Sequence, residues 1–290
     1  MFILQIFLTD ICNLNCPHCF VTRRTDSFID VNSLKRLLYE GWKLGVDTVT
    51  FLGGEPLLAI EQLVQGIKYS RRLGMATRLY TNISLIPHNK EILRIFKKYN
   101  VFVGASLYAG SREGYKKYCG VDVYEDVVEG LKLLKSYGIN FHVYVMLTKL
   151  NKFEFENIVN LLKKLKINGI SFWTEGKTDQ QKKLKVEKIF LDWEEMSKYI
   201  TTLNKIIKTK HEMDPILILP RRFLVEKCYA AKDGLAISPT LDIYPCTFSM
   251  FPEYKLGNFK DTSLMEALKK GEELRKRLGV PFCKTLRPTI

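Results

Sequence analysis

VNSLKRLLYEGWKLGVDTVTFL, residues 31–52, carries the pattern that decides the fold. Leu34, Leu37, Leu38 and Trp42 recur at helical spacing, so a helix is predicted from about Val31 to Leu44. Gly45 stands where helices commonly close on a left-handed residue. VDTVTFL (46–52) is then an apolar, β-branched run of strand length. The unit recurs along the chain. Leu63, Val64, Ile67 and Leu73 stripe a second helix, closed by Gly74 and followed by the strand ATRLYTN (76–82). Ile92, Leu93 and Phe96 mark a third helix before VFVGASL (101–107). Val127, Val128, Leu131 and Leu134 mark a fourth, closed by Gly138, before NFHVYVML (140–147). Phe155, Ile158, Leu161, Leu162 and Leu165 mark a fifth, with Gly169 in the closing position ahead of ISFWTEG (170–176). FILQIFLT (2–9) opens the series as its first strand. About six strands joined by helices at a period of roughly 30 residues call for parallel pairing with right-handed crossovers. The expected fold class is α/β: a partial (β/α)6 barrel of parallel strands, left open because eight units are needed to close one.

The composition fits such a core. Of 290 residues, 46% are apolar and 26% charged, with 18 Gly and 10 Pro, which excludes collagen-like, disordered and disulfide-scaffold classes. Lys and Arg number 45 against 31 Asp and Glu, a formal charge of +14 that points to acidic partners or to solubility. No apolar run approaches the ~18–20 residues that cross a bilayer. The opening MFILQIFL lacks a basic segment and runs into Thr9-Asp10, so a strand is expected there rather than an export signal. The expected location is cytoplasmic, where seven cysteines mean metal or catalysis more often than disulfides. Beyond residue 177 the pattern changes. KTDQQKKLKVEK reads as a solvated loop, and Trp193, Met196, Ile200, Leu203 and Ile207 stripe a last helix from Asp192 to Lys210. The segment from Cys228 to Cys283 reads as a small appended module, dividing the chain into residues 1–210 and 211–290. Cys119, in the polar stretch KKYCGVD, is read as a loop bystander.

Cys12, Cys16 and Cys19 lie in CNLNCPHC, directly after the first strand and therefore at the barrel mouth where such folds build their sites. Three thiolates within eight residues can wrap one small inorganic core. Structural zinc wants four ligands, and His18 beside Cys19 would point away from the shared centre. A cubane cluster held by three cysteines leaves one iron open instead. CNLNCPHC resembles the CxxxCxxC motif of the radical S-adenosylmethionine (radical SAM) superfamily, with His18 where that family often has an aromatic ring. Gly53-Gly54-Glu55-Pro56, after the second strand, matches the family's GGEP motif. The resemblance implies a [4Fe-4S] cluster on Cys12, Cys16 and Cys19, with S-adenosylmethionine (SAM) bound at its open iron. Bare backbone at Gly53 and Gly54 would let that ligand lie close, and Glu55 would accept from its ammonium. Thr81-Asn82 and Ser106, at the next two strand ends, match positions that relatives use on the methionyl carboxylate or ribose. Ser106-Leu107-Tyr108-Ala109 departs from the family pattern, with Tyr where Asp is common.

Cys228 and Cys246 flank a predicted β-hairpin turning at Ser238-Pro239-Thr240, with Leu256-Gly257-Asn258, a helix and Cys283 downstream. This looks like the SPASM or twitch extension of radical SAM enzymes, shortened at its end, and implies at most one auxiliary iron–sulfur cluster on Cys228, Cys246 and Cys283. The resemblance implies an enzyme that cleaves SAM reductively and abstracts hydrogen from a peptide or protein side chain, with an electron donor such as ferredoxin or flavodoxin. Two rivals stand beside it. An RNA-modifying relative is suggested by the charge and the Lys-rich 149–210 stretch, against which lysines are interleaved with acids and no aromatic–basic RNA module is evident. A non-enzymatic iron–sulfur electron carrier or redox sensor is the other. Neither a membrane nor nucleic acid is an expected partner.

Overall fold

The computed structural model describes residues 2–21, 25–174, 187–191, 219–220 and 230–278, together with 194, 195, 198, 199 and 201. Cys228, Cys283, the loop from 177 and most of the helix expected at 192–210 lie outside these residues.

Six strands alternate with helices. They are β1 (Ile3–Phe7), β2 (Thr48–Leu52), β3 (Ala76–Thr81), β4 (Phe102–Ser106), β5 (Phe141–Met146) and β6 (Ile170–Thr174). The helices between them are α1 (Val31–Lys43), α2 (Ile60–Arg72), α3 (Glu91–Lys98), α4 (Arg112–Cys119), α5 (Tyr124–Ser136) and α6 (Phe155–Lys164). The six strands pair in chain order, each parallel to the next, as the βα periodicity requires. A two-residue strand, β7 (Leu219–Pro220), adds parallel to β6.

Alternate residues divide the sheet into two faces. Leu4, Ile6, Val49, Phe51, Leu79, Val103, Ala105, Val143, Val145 and Phe172 are fully buried on one. The helices cover that face: Gly66 of α2 leaves no room for a Cβ beside the Phe51 ring. Each of these side chains larger than alanine contributes about 1.5–3 kcal/mol by leaving water. The opposite face carries Gln5, Arg78, Tyr80, Ser106, His142, Tyr144 and Ser171, all half-buried. Helix ends follow local chemistry. Asp30 caps α1 by accepting from the Ser33 N–H at 2.7 Å. Gly45, Gly74 and Gly138 take positive φ as expected, whereas Gly169 does not. After α6 it is Lys166 that turns left-handed, at φ 53°, and Gly169 instead makes room for the His142 ring.

Two larger features also differ from the sequence reading. The stretch around Cys119 is not a loop. It is α4, capped by Ser111, which accepts from the Gly114 N–H at 3.0 Å, and closed by Gly120 at φ 72°. Its buried residues Tyr115, Tyr118 and Cys119 share one helical face, and a stripe made of tyrosines among lysines is easily passed over as polar.

The second difference concerns the appended module. The expected hairpin is present as β8 (Gly234–Ile237) and β9 (Asp242–Tyr244), antiparallel, and a third strand, β10 (Gly257–Asn258), follows. The hairpin does not stand apart from the barrel. β8 pairs in parallel with β1, from Ile3↔Gly234 to Ile6↔Ile237, and so extends the same sheet to ten strands. An open barrel leaves the backbone groups of β1 without a partner on one side, and β8 satisfies them. A last helix, α7 (Leu264–Leu278), joins α1 where the Leu264 N–H donates to Glu40 Oε1 at 2.5 Å. Leu235, Ile237, Ile243, Leu264 and Ala267 belong to the same apolar core as the barrel strands.

Candidate active site

The loop carrying the first three cysteines is fastened at its base. Asp10, 3% exposed, accepts from the Thr25 N–H at 2.5 Å, the Thr25 hydroxyl at 2.6 Å and the Ser27 N–H at 3.1 Å. Thr9 Oγ1 donates to the Ser27 carbonyl at 2.9 Å. Asp10 carries no motif signal beyond its place at a strand end, and the sequence reading passed over it. Inside the loop Cys12, Cys16 and Cys19 are half-buried. The Leu14 N–H donates to Cys12 Sγ at 3.4 Å, and the Cys19 N–H to the Cys16 carbonyl at 3.1 Å.

The GGEP segment docks directly on this loop. Gly54 N–H donates to the Thr9 carbonyl at 2.8 Å and Glu55 N–H to the Ile11 carbonyl at 2.7 Å. This contact explains the glycines in a way the sequence did not. A Cβ on Gly54 would collide with the Ile11 carbonyl, and one on Gly53 would lie 2.9 Å from the Thr9 carbonyl oxygen. The backbone that needs the space is the chain's own first loop.

Glu55 also differs from expectation. It is 1% exposed, and its carboxylate already accepts three hydrogen bonds: Leu57 N–H at 3.0 Å, Thr81 hydroxyl at 2.6 Å and Asn82 N–H at 2.8 Å. Three of about four acceptor sites are thereby occupied. Burial dominates these donors and raises the carboxyl to about 7. Glu55 is thus a tie between the β2 loop and the end of β3. Asn82 joins the network: its Nδ2 donates to Asn13 Oδ1 at 2.9 Å and lies 4.0 Å from Cys12 Sγ, while its Oδ1 accepts from Ser84. The ends of β1, β2 and β3 therefore meet around Cys12. Ser106 sits one strand further, half-buried beside Tyr108.

A wall of aromatic rings backs the loop. Tyr108 stacks on Tyr118, centroids 5.3 Å apart and planes within 16°, and His18 lies 5.1 Å from Tyr108. Tyr118 hydroxyl and His18 Nδ1 are 2.8 Å apart. Burial lowers His18 to about 4, so its ring is neutral at ordinary pH. Cys119 belongs to this wall and is no bystander. Its carbonyl accepts from the Asn15 N–H at 3.1 Å, and its Sγ is 3.8 Å from Cys16 Sγ. The Cys16 thiol is raised, first by that sulfur contact and then by burial. Cys12 is pushed up to about 11, chiefly by burial, with Glu55, Cys16 and Cys19 close enough to add to the rise.

The donor set suits a cluster rather than a single ion. Among the described residues no three His, Cys, Asp or Glu side chains converge on one metal position. A cubane takes each thiolate on a different iron, and three cysteines within one eight-residue loop are a donor set of that chemistry. In the C-terminal strands Cys246 is half-buried at the start of a short turn, with Sγ 3.3 Å from Ser249 Oγ. Its proposed partners Cys228 and Cys283 lie outside the described residues.

Comparison with known proteins identifies the family. The model of the radical SAM superfamily matches residues 6–162, and that of SPASM, an iron–sulfur cluster-binding domain, matches residues 228–287. An uncharacterized protein of Methanocaldococcus jannaschii is 32% identical over 163 residues, 56% of this chain and 52% of that relative. A probable GTP 3′,8-cyclase of Saccharolobus solfataricus is 26% identical over 232 residues, 77% of this chain and 72% of its own length. Among solved structures, Streptococcus suis SuiB bound to its precursor peptide SuiA superposes with a TM-score of 0.75 at 19% identity, over 92% of this chain and 64% of SuiB.

Proposed function

This chain belongs to the radical SAM superfamily, and from that premise we propose that it modifies a peptide or protein side chain, using electrons from a ferredoxin or flavodoxin. Membership brings a [4Fe-4S] cluster and SAM as cofactors, and the SPASM match brings a domain that binds auxiliary iron–sulfur clusters. When bound, cluster and SAM supply reductive cleavage of the sulfonium and a 5′-deoxyadenosyl radical that abstracts hydrogen. The protein's own part is placement. Cys12, Cys16 and Cys19 would hold the cluster on a loop that Asp10 ties shut and Cys119 and Tyr118 support from behind. Carbonyls at Gly53 and Gly54 would receive the methionyl ammonium, with Glu55 holding that segment against Asn82. Asn82 and Ser106 would contact the carboxylate or ribose from the neighbouring strand ends.

The observation that carries the cofactor reading is the junction of the cysteine loop with the GGEP segment through two backbone hydrogen bonds. The peptide reading is supported by the SPASM match together with the fold shared with SuiB. A nucleotide substrate is the second reading, favoured by the similarity to a GTP cyclase. Anaerobically reconstituted protein, reduced with dithionite, should convert SAM to 5′-deoxyadenosine, and the Cys12/Cys16/Cys19 triple Ala variant should not. A variant as active as wild type would sink the cluster assignment. Added GTP that stimulates SAM cleavage, where peptides from the same organism do not, would overturn the peptide reading.

A further inference from the structure

The sulfur of Cys119, which lies outside the CxxxCxxC motif, faces Cys16, the middle cysteine of that motif. α4 presents Cys119 at its C-terminal turn, fully buried, and Cys119 makes two contacts of its own with the cysteine loop. One is the Asn15 N–H to Cys119 carbonyl bond at 3.1 Å; the other is the 3.8 Å approach of the two sulfurs. Tyr108 packs against Tyr115 and Tyr118 on the same side of the loop.

We propose that Cys119 is a positioning residue for the first cluster: its S–H donates to the Cys16 sulfur once that sulfur ligates iron, and so raises the cluster's reduction potential. The inference rests on the assignment of the cluster to Cys12, Cys16 and Cys19. The physical argument is direct. With the cluster absent, Cys16 itself donates across the gap. Ligation removes the Cys16 proton and leaves a negative sulfur facing the Cys119 thiol, which carries the remaining proton between them. Hydrogen bonds to cluster sulfurs are among the levers that set the potential. A donor favours the reduced state, which bears the additional negative charge. Cys119 touches neither SAM nor substrate in this assignment, so its influence runs entirely through Cys16.

The test uses the full chain as wild type, Cys119→Ala and Cys119→Ser, reconstituted without oxygen. Iron is counted, and potential is titrated through the EPR signal that changes when SAM is added. The expected result is equal iron in all three, a more negative potential in the Ala variant, and recovery toward wild type in the Ser variant. Equal potentials at equal iron would overturn the proposal. Loss of iron in both variants would overturn it differently, by making Cys119 a ligand. Wild type that takes up no iron on the first loop would refute the cluster assignment, and this proposal with it. A second measurement needs neither variant nor cluster. Copper–phenanthroline oxidation of the apo-protein, removing two protons and two electrons, should join Cys16 to Cys119. Peptide mapping that finds Cys16 joined only to Cys12 or Cys19 would contradict the geometry.

Discussion

Replacing Glu55 tests whether this carboxylate acts on the cofactor or on the protein. Glu55→Ala leaves the Leu57 and Asn82 N–H groups buried without their acceptor, while the Thr81 hydroxyl can turn elsewhere. Each orphaned donor costs about 1–3 kcal/mol, and relief of the buried carboxylate offsets part of that at high pH. The net loss expected for the apo-protein is about 2 kcal/mol at pH 8, or roughly 4–8 °C in melting temperature. The pH dependence has a definite sign. Folding raises this carboxyl to about 7 from 4.5, so the folded state holds the proton more tightly than the unfolded chain. Its stabilising contribution is therefore complete below pH 4.5 and lost as pH rises through 7. The gap between wild type and variant should widen by up to about 3 kcal/mol as pH falls from 8 to 5. Glu55→Gln keeps the shape and two acceptances but sets an amide N–H against a backbone donor, so it should fall between the two. Thermal melts of the reduced apo-protein from pH 5 to 8, followed by circular dichroism, measure all of this. Variants that melt within about 1–2 °C of wild type throughout, or a gap that narrows on acidification, would refute the structural assignment.

Gly54→Ala should be worse than Gly53→Ala, because its added carbon meets the Ile11 carbonyl itself and neither backbone segment can yield. Overpacking of that kind costs about 1–3 kcal/mol or more, and it should lower both the apo melting temperature and iron uptake on reconstitution. Retained iron at an unchanged melting temperature would show that the two loops are not in contact. For the C-terminal cysteines, wild type should bind about eight irons per chain and the Cys228/Cys246/Cys283 triple Ala variant roughly half. The variant should still cleave SAM without substrate; equal iron in both proteins would remove the auxiliary cluster from the proposal.

Parts of this molecule that depend on local pattern were legible in the sequence. The βα units follow from apolar stripes such as Leu34, Leu37 and Leu38, and the cysteine and GGEP motifs are contiguous. What the sequence concealed are contacts between distant segments. Glu55 meets Thr81, 26 residues on, through hydrogen bonds that no periodicity encodes. Cys119 lies 103 residues from Cys16, and the helix that brings it there buries tyrosines instead of aliphatic side chains. GLAI (234–237) reads as a strand from its residues alone, but its partner in the sheet does not, because parallel neighbours far apart in sequence leave no local mark.

That pairing changes what a boundary means for this chain. β1 supplies the stem of the cysteine loop and has β2 on one side and β8 on the other. A truncation at either family border would strip one flank from the strand that presents the cluster ligands, exposing a row of unsatisfied amides to self-association. The pairing of Ile3 to Ile6 with Gly234 to Ile237 spans more than 200 residues of sequence, so β1 reaches its full set of partners only when the C-terminal strands are in place. The strand that carries the cysteine loop is thus held by residues from both ends of the sequence, and the C-terminal region is part of the support for a motif that lies near the other end.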